Sequence, residues 1–580
     1  MKSLKIKINQ ILTAVLLFLL YNNVFSQYQI RSYDLFCNIP GDDHGTSIIN
    51  RIDNGYAIAG YSYASACGVG SPQDWMFLKL KADGLIDTVR LIGFEGDDRA
   101  YSIIQSAVDT GYVMAGSMVN GNYIKATLVK LNKSAGLEYS KRVSSSYNSQ
   151  YNQVVKNYAD RWTFAGYSQH YIAENKIPYK ILVTNYSSAG VRQWGYKYIT
   201  LNSSGSSNVF NDAANSVCFQ NTDSTYCVAA KTSYYSANNS NYDIMVMKIS
   251  PTGTVRWNRI YRFDLNPAPN YYTSAEPRKI IALPDGGFVI VGSTNVNVET
   301  ERDIIVMRIS STGAIVWSRI YGNAGYVEKG ESVVLDGDLI ITGARKKVSL
   351  SYDVIVMKIP LAGGAPVWVR RWDPNNSHDY GFDIVKSNIG APNGYAITGE
   401  SIRGGLSDPF LMRVNSSGRV EGQTCMETIT LSNSVKTQKV DSVTISRSSV
   451  SDVSWTPGIV TPPSNVNDIC LTADNPIGEN TNTQPGKFSL EQNYPNPFNP
   501  MTKIAYQLPT AGFVSIIVFD ILGKEVATLV SNMQNSGLYE VTFNANKLSS
   551  GIYLYKLSIT DPSNSSYELF AETKKMLLVK

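Results

Sequence analysis

Asp303–Trp317 reads DIIVMRISSTGAIVW. An apolar run of strand length leads into a Ser-Thr-Gly turn, and a second strand carrying Trp follows. The stretch returns at Asp243–Trp257 as DIMVMKISPTGTVRW, and at Asp353–Lys358 as DVIVMK with Gly364 and Trp368 behind it. Self-similarity of this kind is the mark of a repeat architecture. Working outward, seven copies align. Each has an earlier strand closing near Gly60, Gly116, Gly166, Ala230, Gly292, Gly343 or Gly399, and these positions lie 50 to 64 residues apart. A turn glycine follows the DIIVM-type strand at Gly84, Gly136, Gly190, Gly253, Gly313, Gly364 and Gly418, with Trp four residues later at Trp194, Trp257, Trp317 and Trp368.

Ahead of each closing position lies one more apolar run, joined to it by Asp/Asn-Gly turns such as Asp53-Asn54-Gly55. Such pairs supply the positive φ that a tight hairpin needs. Four antiparallel strands per unit, repeated seven times, predict an all-β chain with a seven-bladed β-propeller of four-stranded blades over residues 27–420. The seventh unit lacks a Trp-bearing fourth strand, whereas 28–36 (YQIRSYDLF) is a strand with no unit before it. The expectation is that 28–36 closes blade seven.

The first 26 residues carry three lysines, an apolar run from Ile11 to Leu20 and a Val24-Phe25-Ser26 site. This is the form of a secretory signal peptide, and the run is too short to span a bilayer. Six cysteines in an exported chain suggest disulfides. Nearest-neighbour pairing gives Cys37–Cys67, Cys218–Cys227 and Cys425–Cys470, among other possible pairings. Residues 421–470, rich in Ser, Thr and Val, are expected to form a small β segment bounded by Cys425 and Cys470, a stalk or cap. Residues 471–487 (LTADNPIGENTNTQPGK) read as a linker. Residues 488–580 alternate like a small Ig-like β-sandwich broken by Gly and Pro turns.

Within that last piece, YPNPFNP at 494–500, FDILGKEV at 519–526, LSSGIYLYKL at 548–557 and the closing KKMLLVK occur in order. Together they resemble the type A C-terminal sorting domain of the type IX secretion system. The resemblance implies a sorting signal carried by Tyr494, Pro495, Asn496, Pro497, Gly523, Gly551, Lys574, Lys575 and Lys580. It also implies partners in the secretion machinery and its C-terminal signal peptidase, and passage through the periplasm to the outer-membrane surface or the medium. It speaks of destination, not of activity.

Of the net +5 charge, the three lysines of the leader account for three, leaving a near-neutral mature chain. That balance argues against nucleic-acid or membrane-surface binding. Variable loops on a rigid scaffold are the expected functional surface, and they carry Tyr61, Tyr63, Tyr171, Tyr234, Tyr235, Tyr271 and Tyr272. Tyrosine combines contact area with a polar tip, which suits a glycan, peptide or protein ligand. Acids near the start of the first strands, Asp42, Asp43, Asp97, Asp98 and Asp379, are candidates for Ca²⁺, a hard cation that takes oxygen ligands. No GxSxG, HExxH, P-loop or EF-hand pattern is present. The reading is therefore a non-enzymatic binding protein. A secreted polysaccharide hydrolase or lyase using those acids, or a structural or adhesive surface component, are the alternatives.

Overall fold

The computed structural model describes residues 30–35, most of 42–420, seven strands between 426 and 469, and most of 488–579. The leader, the linker, Cys37, Cys67, Cys425, Cys470, Tyr271, Tyr272, Tyr494, Pro495 and Lys580 lie outside the described residues. Among the described residues no helix is long and apolar enough to cross a membrane. The chain divides into two compact units, Met1–Asn475 and Pro476–Lys580.

The first unit holds seven antiparallel sheets in chain order. Sheet 1 spans 43–93, sheet 2 99–144, sheet 3 149–200, sheet 4 212–262, sheet 5 275–322 and sheet 6 326–372. Sheet 7 spans 379–414 and takes Ile30–Leu35 as its next strand. The first strand of each sheet lies beside the first strand of the next, and that of sheet 7 beside that of sheet 1. The arrangement is propeller-like, with first strands innermost. Ile30–Leu35 pairs antiparallel with the third strand of sheet 7, Ile30 opposite Met412 and Ser32 opposite Phe410.

The Trp of the repeat, with a Tyr four residues on, explains how neighbouring sheets hold together. Trp194, Trp257 and Trp317 in fourth strands donate their indole N–H to carbonyls of Pro251, Ser311 and Leu361, in the third-to-fourth turn of the following sheet. Tyr198, Tyr261 and Tyr321 donate their hydroxyls to Gly253, Gly313 and Gly364 in the same turns. Tyr33 of the N-terminal strand does likewise to Gly84 of sheet 1, at 2.8 Å. The turn must be glycine where it meets the indole. Gly253 has φ +77, and a Cβ there would come within 2.8 Å of Trp194.

A second set of contacts runs round the axis. Every first strand carries a β-bulge at the same place, leaving Thr46, Tyr101, Asn152, Asn215, Arg278, Glu331 and Phe382 out of register. Thr46, Asn152 and Asn215 donate to Ala100, Ala214 and Pro277 of the next sheet. The residue after each bulge is polar, and several of these bridge sheets. Asp383 accepts from Ser47 Oγ (3.0 Å), Ile48 N (3.1 Å) and Ser332 Oγ (2.6 Å), with Lys279 Nζ at 3.5 Å. Gln153 accepts from Ser216 Oγ and Val217 N, and Ser216 Oγ accepts from Ile280 N.

Two expectations are corrected. The sheets have five strands, not four, because 421–470 is not a separate stalk or cap. Its strands are dealt out one to each sheet. Met426–Thr428 pairs with sheet 6, Ser432–Val435 with sheet 5, Lys439–Asp441 with sheet 4 and Ile445–Ser449 with sheet 3. Ser451–Trp455 then pairs with sheet 2, Gly458–Val460 with sheet 1 and Ser464–Ile469 with sheet 7. The segment is a belt running round the ring in reverse order, adding an antiparallel outer strand at each step. The last belt strand pairs with Ile30–Leu35 itself, so the N-terminal strand is held on both edges. The physical logic is edge protection. Each fourth strand would otherwise present a row of unpaired N–H and C=O groups.

The second correction concerns Cys218 and Cys227. They are directly opposite in the first hairpin of sheet 4, yet both are buried free thiols.

The second unit consists of a three-stranded sheet, with Ser489–Leu490, Met501–Leu508 and Gly537–Asn544, and a four-stranded one. Alternate residues such as Ile504, Tyr506, Leu508, Val514, Ile516, Val518, Tyr555, Leu557 and Ile559 fill one core. Its two terminal motifs meet. Asn496 Oδ1 accepts from Leu577 N at 2.8 Å, and Phe498 exchanges backbone hydrogen bonds with Leu577 and Val579. The turn of the FDILGKEV run is capped by Asp520, which accepts from Leu522 N and Lys524 N, while Gly523 takes φ +81.

Candidate ligand-binding face

First strands start, and second-to-third connections lie, on one face of the ring. The registers Asp43 to Ser62 and Ser62 to Asp74 fix this in sheet 1. The candidate tyrosines with a described position sit here. Around sheets 7, 1 and 2, the His44 ring stacks on Tyr61 with centroids 4.4 Å apart, and His44 Nδ1 contacts Glu400. The Arg99 guanidinium lies 5.2 Å from the Tyr61 centroid and donates to Gln73 Oε1 at 2.5 Å. Burial, with Glu400 next, pushes the Tyr61 hydroxyl far above its usual range, so it stays protonated. Around sheets 2 and 3, Tyr123, Tyr147 and Tyr171 form a ladder with 6.4 Å steps, and Lys125 sits over Tyr123 at 4.5 Å. In sheet 4, Phe210, Tyr234 and Tyr235 pack in sequence, with Arg262 over Tyr235 at 4.1 Å. Tyr63, Tyr123, Tyr171 and Tyr235 are among the exposed large side chains, at 38–48%.

Around sheets 6 and 7 lies a group that the loop-based reading missed. Lys329 and Lys346 Nζ sit 4.9 and 4.6 Å from the Tyr352 centroid. His378 and Tyr380 pack against the same ring at 5.1 and 5.2 Å, and Phe382 stacks on Tyr380 at 4.8 Å. Both lysines belong to strands, and they converge because Val327 pairs with Lys346 beside Lys329. The signal was present in the repeat alignment, at the start of one strand and the end of its neighbour. It is visible only once the register is known.

The proposed calcium ligands are not gathered. Among the described residues no group of three or more His, Cys, Asp or Glu can hold a metal ion. The acids serve the corners of the sheets instead. Asp98 Oδ1 accepts from Val119 N at 2.7 Å, and Asp42 Oδ1 accepts from Ser407 N at 2.9 Å, tying sheet 1 to sheet 7. Asp43 and Asp379 are fully buried at the starts of their strands, and Asp97 is exposed. Elsewhere on this rim Asp212 accepts from Thr232 Oγ1 at 2.6 Å, and Glu328 pairs with Arg345 Nε at 3.0 Å.

Burial raises the pKa of several rim acids. Burial pushes the Asp74 carboxyl up to about 7. Burial also raises Glu328 to about 8 against the pull of Arg345, and Asp353 to about 6 with Asp373 adding to it. A carboxyl whose folded pKa lies above its unfolded value binds more protons when folded, so stability falls as pH rises between the two values. The affected window runs from about 4 to about 8. We expect the Tm to fall from pH 5 to pH 8 and then level off, and Asp74→Asn to flatten that slope. At ~1.4 kcal/mol per pKa unit the Asp74 share is at most a few kcal/mol. Thermal unfolding of both proteins across this range checks it; identical slopes would refute the assignment.

No curated protein sequence matches the chain. Among solved structures, Sqt1 from Chaetomium thermophilum is 10% identical, with a TM-score of 0.24 over 55% of this chain and 96% of that one. TcdA4 of Morganella morganii is 8% identical, with a TM-score of 0.20 over 82% and 22%. Dimeric latent PorU from Porphyromonas gingivalis is 10% identical, with a TM-score of 0.14 over 73% and 32%. Likenesses this weak carry no argument. The match at residues 492–567 is to the secretion system C-terminal sorting domain. The chain therefore carries a type IX secretion C-terminal sorting domain, which implies export.

Proposed function

We propose that the chain is a cell-surface or secreted binding protein, whose seven-bladed propeller recognises a glycan, peptide or protein through the aromatic face. The sorting domain delivers it across the outer membrane. The observation that supports this reading is the repeated pairing of a tyrosine face with a cation, as at Tyr61 with Arg99, Tyr123 with Lys125 and Tyr235 with Arg262. Flat π-faces flanked by donors suit stacking and hydrogen bonding more than bond cleavage. Of the carboxylates on the same rim, Asp42 and Asp98 hold neighbouring backbone N–H groups.

The test is an array of glycans and polysaccharides probed with the full chain, with and without calcium, and with assay of released product. Saturable binding without product is expected, weakened about tenfold in Tyr171→Ala or Tyr235→Ala. Release of shortened sugar would establish the hydrolase or lyase alternative instead. A blank array would shift the reading to a protein ligand or to an adhesive role.

A further inference from the structure

The group between sheets 6 and 7 differs in kind from the rest of the face. Elsewhere one cation attends one ring. Here Lys329 and Lys346 both crowd Tyr352, and among the described residues neither forms an ion pair. Glu331, the carboxylate beside them, is already engaged. Its Oε2 lies 3.4 Å from Arg278 Nε and its Oε1 accepts from Tyr380 at 3.1 Å. Burial holds Lys329 below the usual ammonium range, with Arg278, Arg302 and Lys346 pressing the same way and only Glu331 opposing. His378 is likewise lowered, first by burial and then by Lys346 and Lys329, against Glu400, so it sits there as a neutral ring. Its Nδ1 is buried without a hydrogen-bond partner.

Two ammonium groups that share a single carboxylate, itself engaged by Arg278 and Tyr380, still repel one another. A ligand anion placed between them would relieve that repulsion. Beside it, the half-buried Tyr352 presents a ring of the size of a pyranose, while Tyr380 packs against it as a buried support. We propose that this cluster is a subsite for an acidic polysaccharide, the two lysines taking the carboxylate of a uronic acid residue while Tyr352 stacks against its ring. The proposal rests on the reading of this face as a binding surface, and it names the ligand's chemistry.

The experiment is affinity electrophoresis of the full chain in gels containing polygalacturonate, fully methyl-esterified polygalacturonate or poly-glutamate. The two polysaccharides share a backbone and differ in charge. Retardation is expected in polygalacturonate, at least about tenfold weaker in the ester, and fading as salt is raised. Lys329→Gln/Lys346→Gln keeps the apolar stems, so it is expected to fold with an unchanged Tm yet lose about tenfold in binding. A Tyr171→Ala control should retain the preference for the acid over the ester.

Equal binding of acid and ester, or an unaffected double variant, would overturn the inference while leaving a glycan-binding face intact. Retardation by poly-glutamate alone would overturn it in favour of an acidic peptide. No retardation by any of the three would overturn it outright, and the broader array then judges the binding reading separately.

Discussion

Ending the first unit at residue 420 rather than 475 is expected to lower its Tm by on the order of 10 °C and to make it self-associate. Some of the belt's described side chains reach the interior. Leu431 is buried between sheets 5 and 6, and Ile445 packs near Trp194. Its contribution is backbone hydrogen bonding to every sheet, each bond worth about 0.5–1.5 kcal/mol net. It also clamps the closing strand Ile30–Leu35 from the outer side. Without it, seven strand edges face solvent at once, and the N-terminal strand keeps only its pairing to sheet 7's third strand. Calorimetry and light scattering on the two lengths decide the matter. A shorter form that melts at the same temperature and stays monomeric would mean that the belt does not hold the ring.

Asp383→Ala is expected to be the most costly single substitution near the axis, at about 3–5 kcal/mol. The carboxylate joins sheets 1, 6 and 7 and faces Lys279 of sheet 5. Its removal leaves Ile48 N and two serine hydroxyls without their acceptor in a buried setting, and the half-buried Lys279 ammonium without its partner. Asp383→Asn keeps the shape and one acceptor oxygen, so it should cost roughly half as much. Denaturant unfolding gives the comparison, with the m-value unchanged if only stability moves. A loss below about 1 kcal/mol for the alanine variant would show that the axial network is dispensable.

What the sequence made legible was whatever repeats. Strand, turn glycine and Trp recur because each performs the same task between successive sheets, so seven weak signals add to one strong one. The axial bulges also repeat, but their residues do not: Thr46, Tyr101, Asn152, Asn215, Arg278, Glu331 and Phe382 share a position and no chemistry. The belt was illegible for another reason. Its strands are three to six residues long. That is too short for an alternation to stand out, and their partners lie up to hundreds of residues away. On the binding face, loop tyrosines were legible as residue types. The cluster of Lys329, Lys346 and Tyr352 was not, because two strand positions and a loop position meet only through register. The calcium expectation failed because acids at equivalent positions of different sheets are spread round a ring rather than gathered.

Hydrogen exchange followed by mass spectrometry on the full chain tests the belt most directly. Peptides covering 426–469 should exchange slowly and lose protection together with those of the fourth strands they pair with, such as 192–200 and 255–262. Exchange of the whole 426–469 stretch at the rate of a free peptide, with the sheets themselves still protected, would contradict the account.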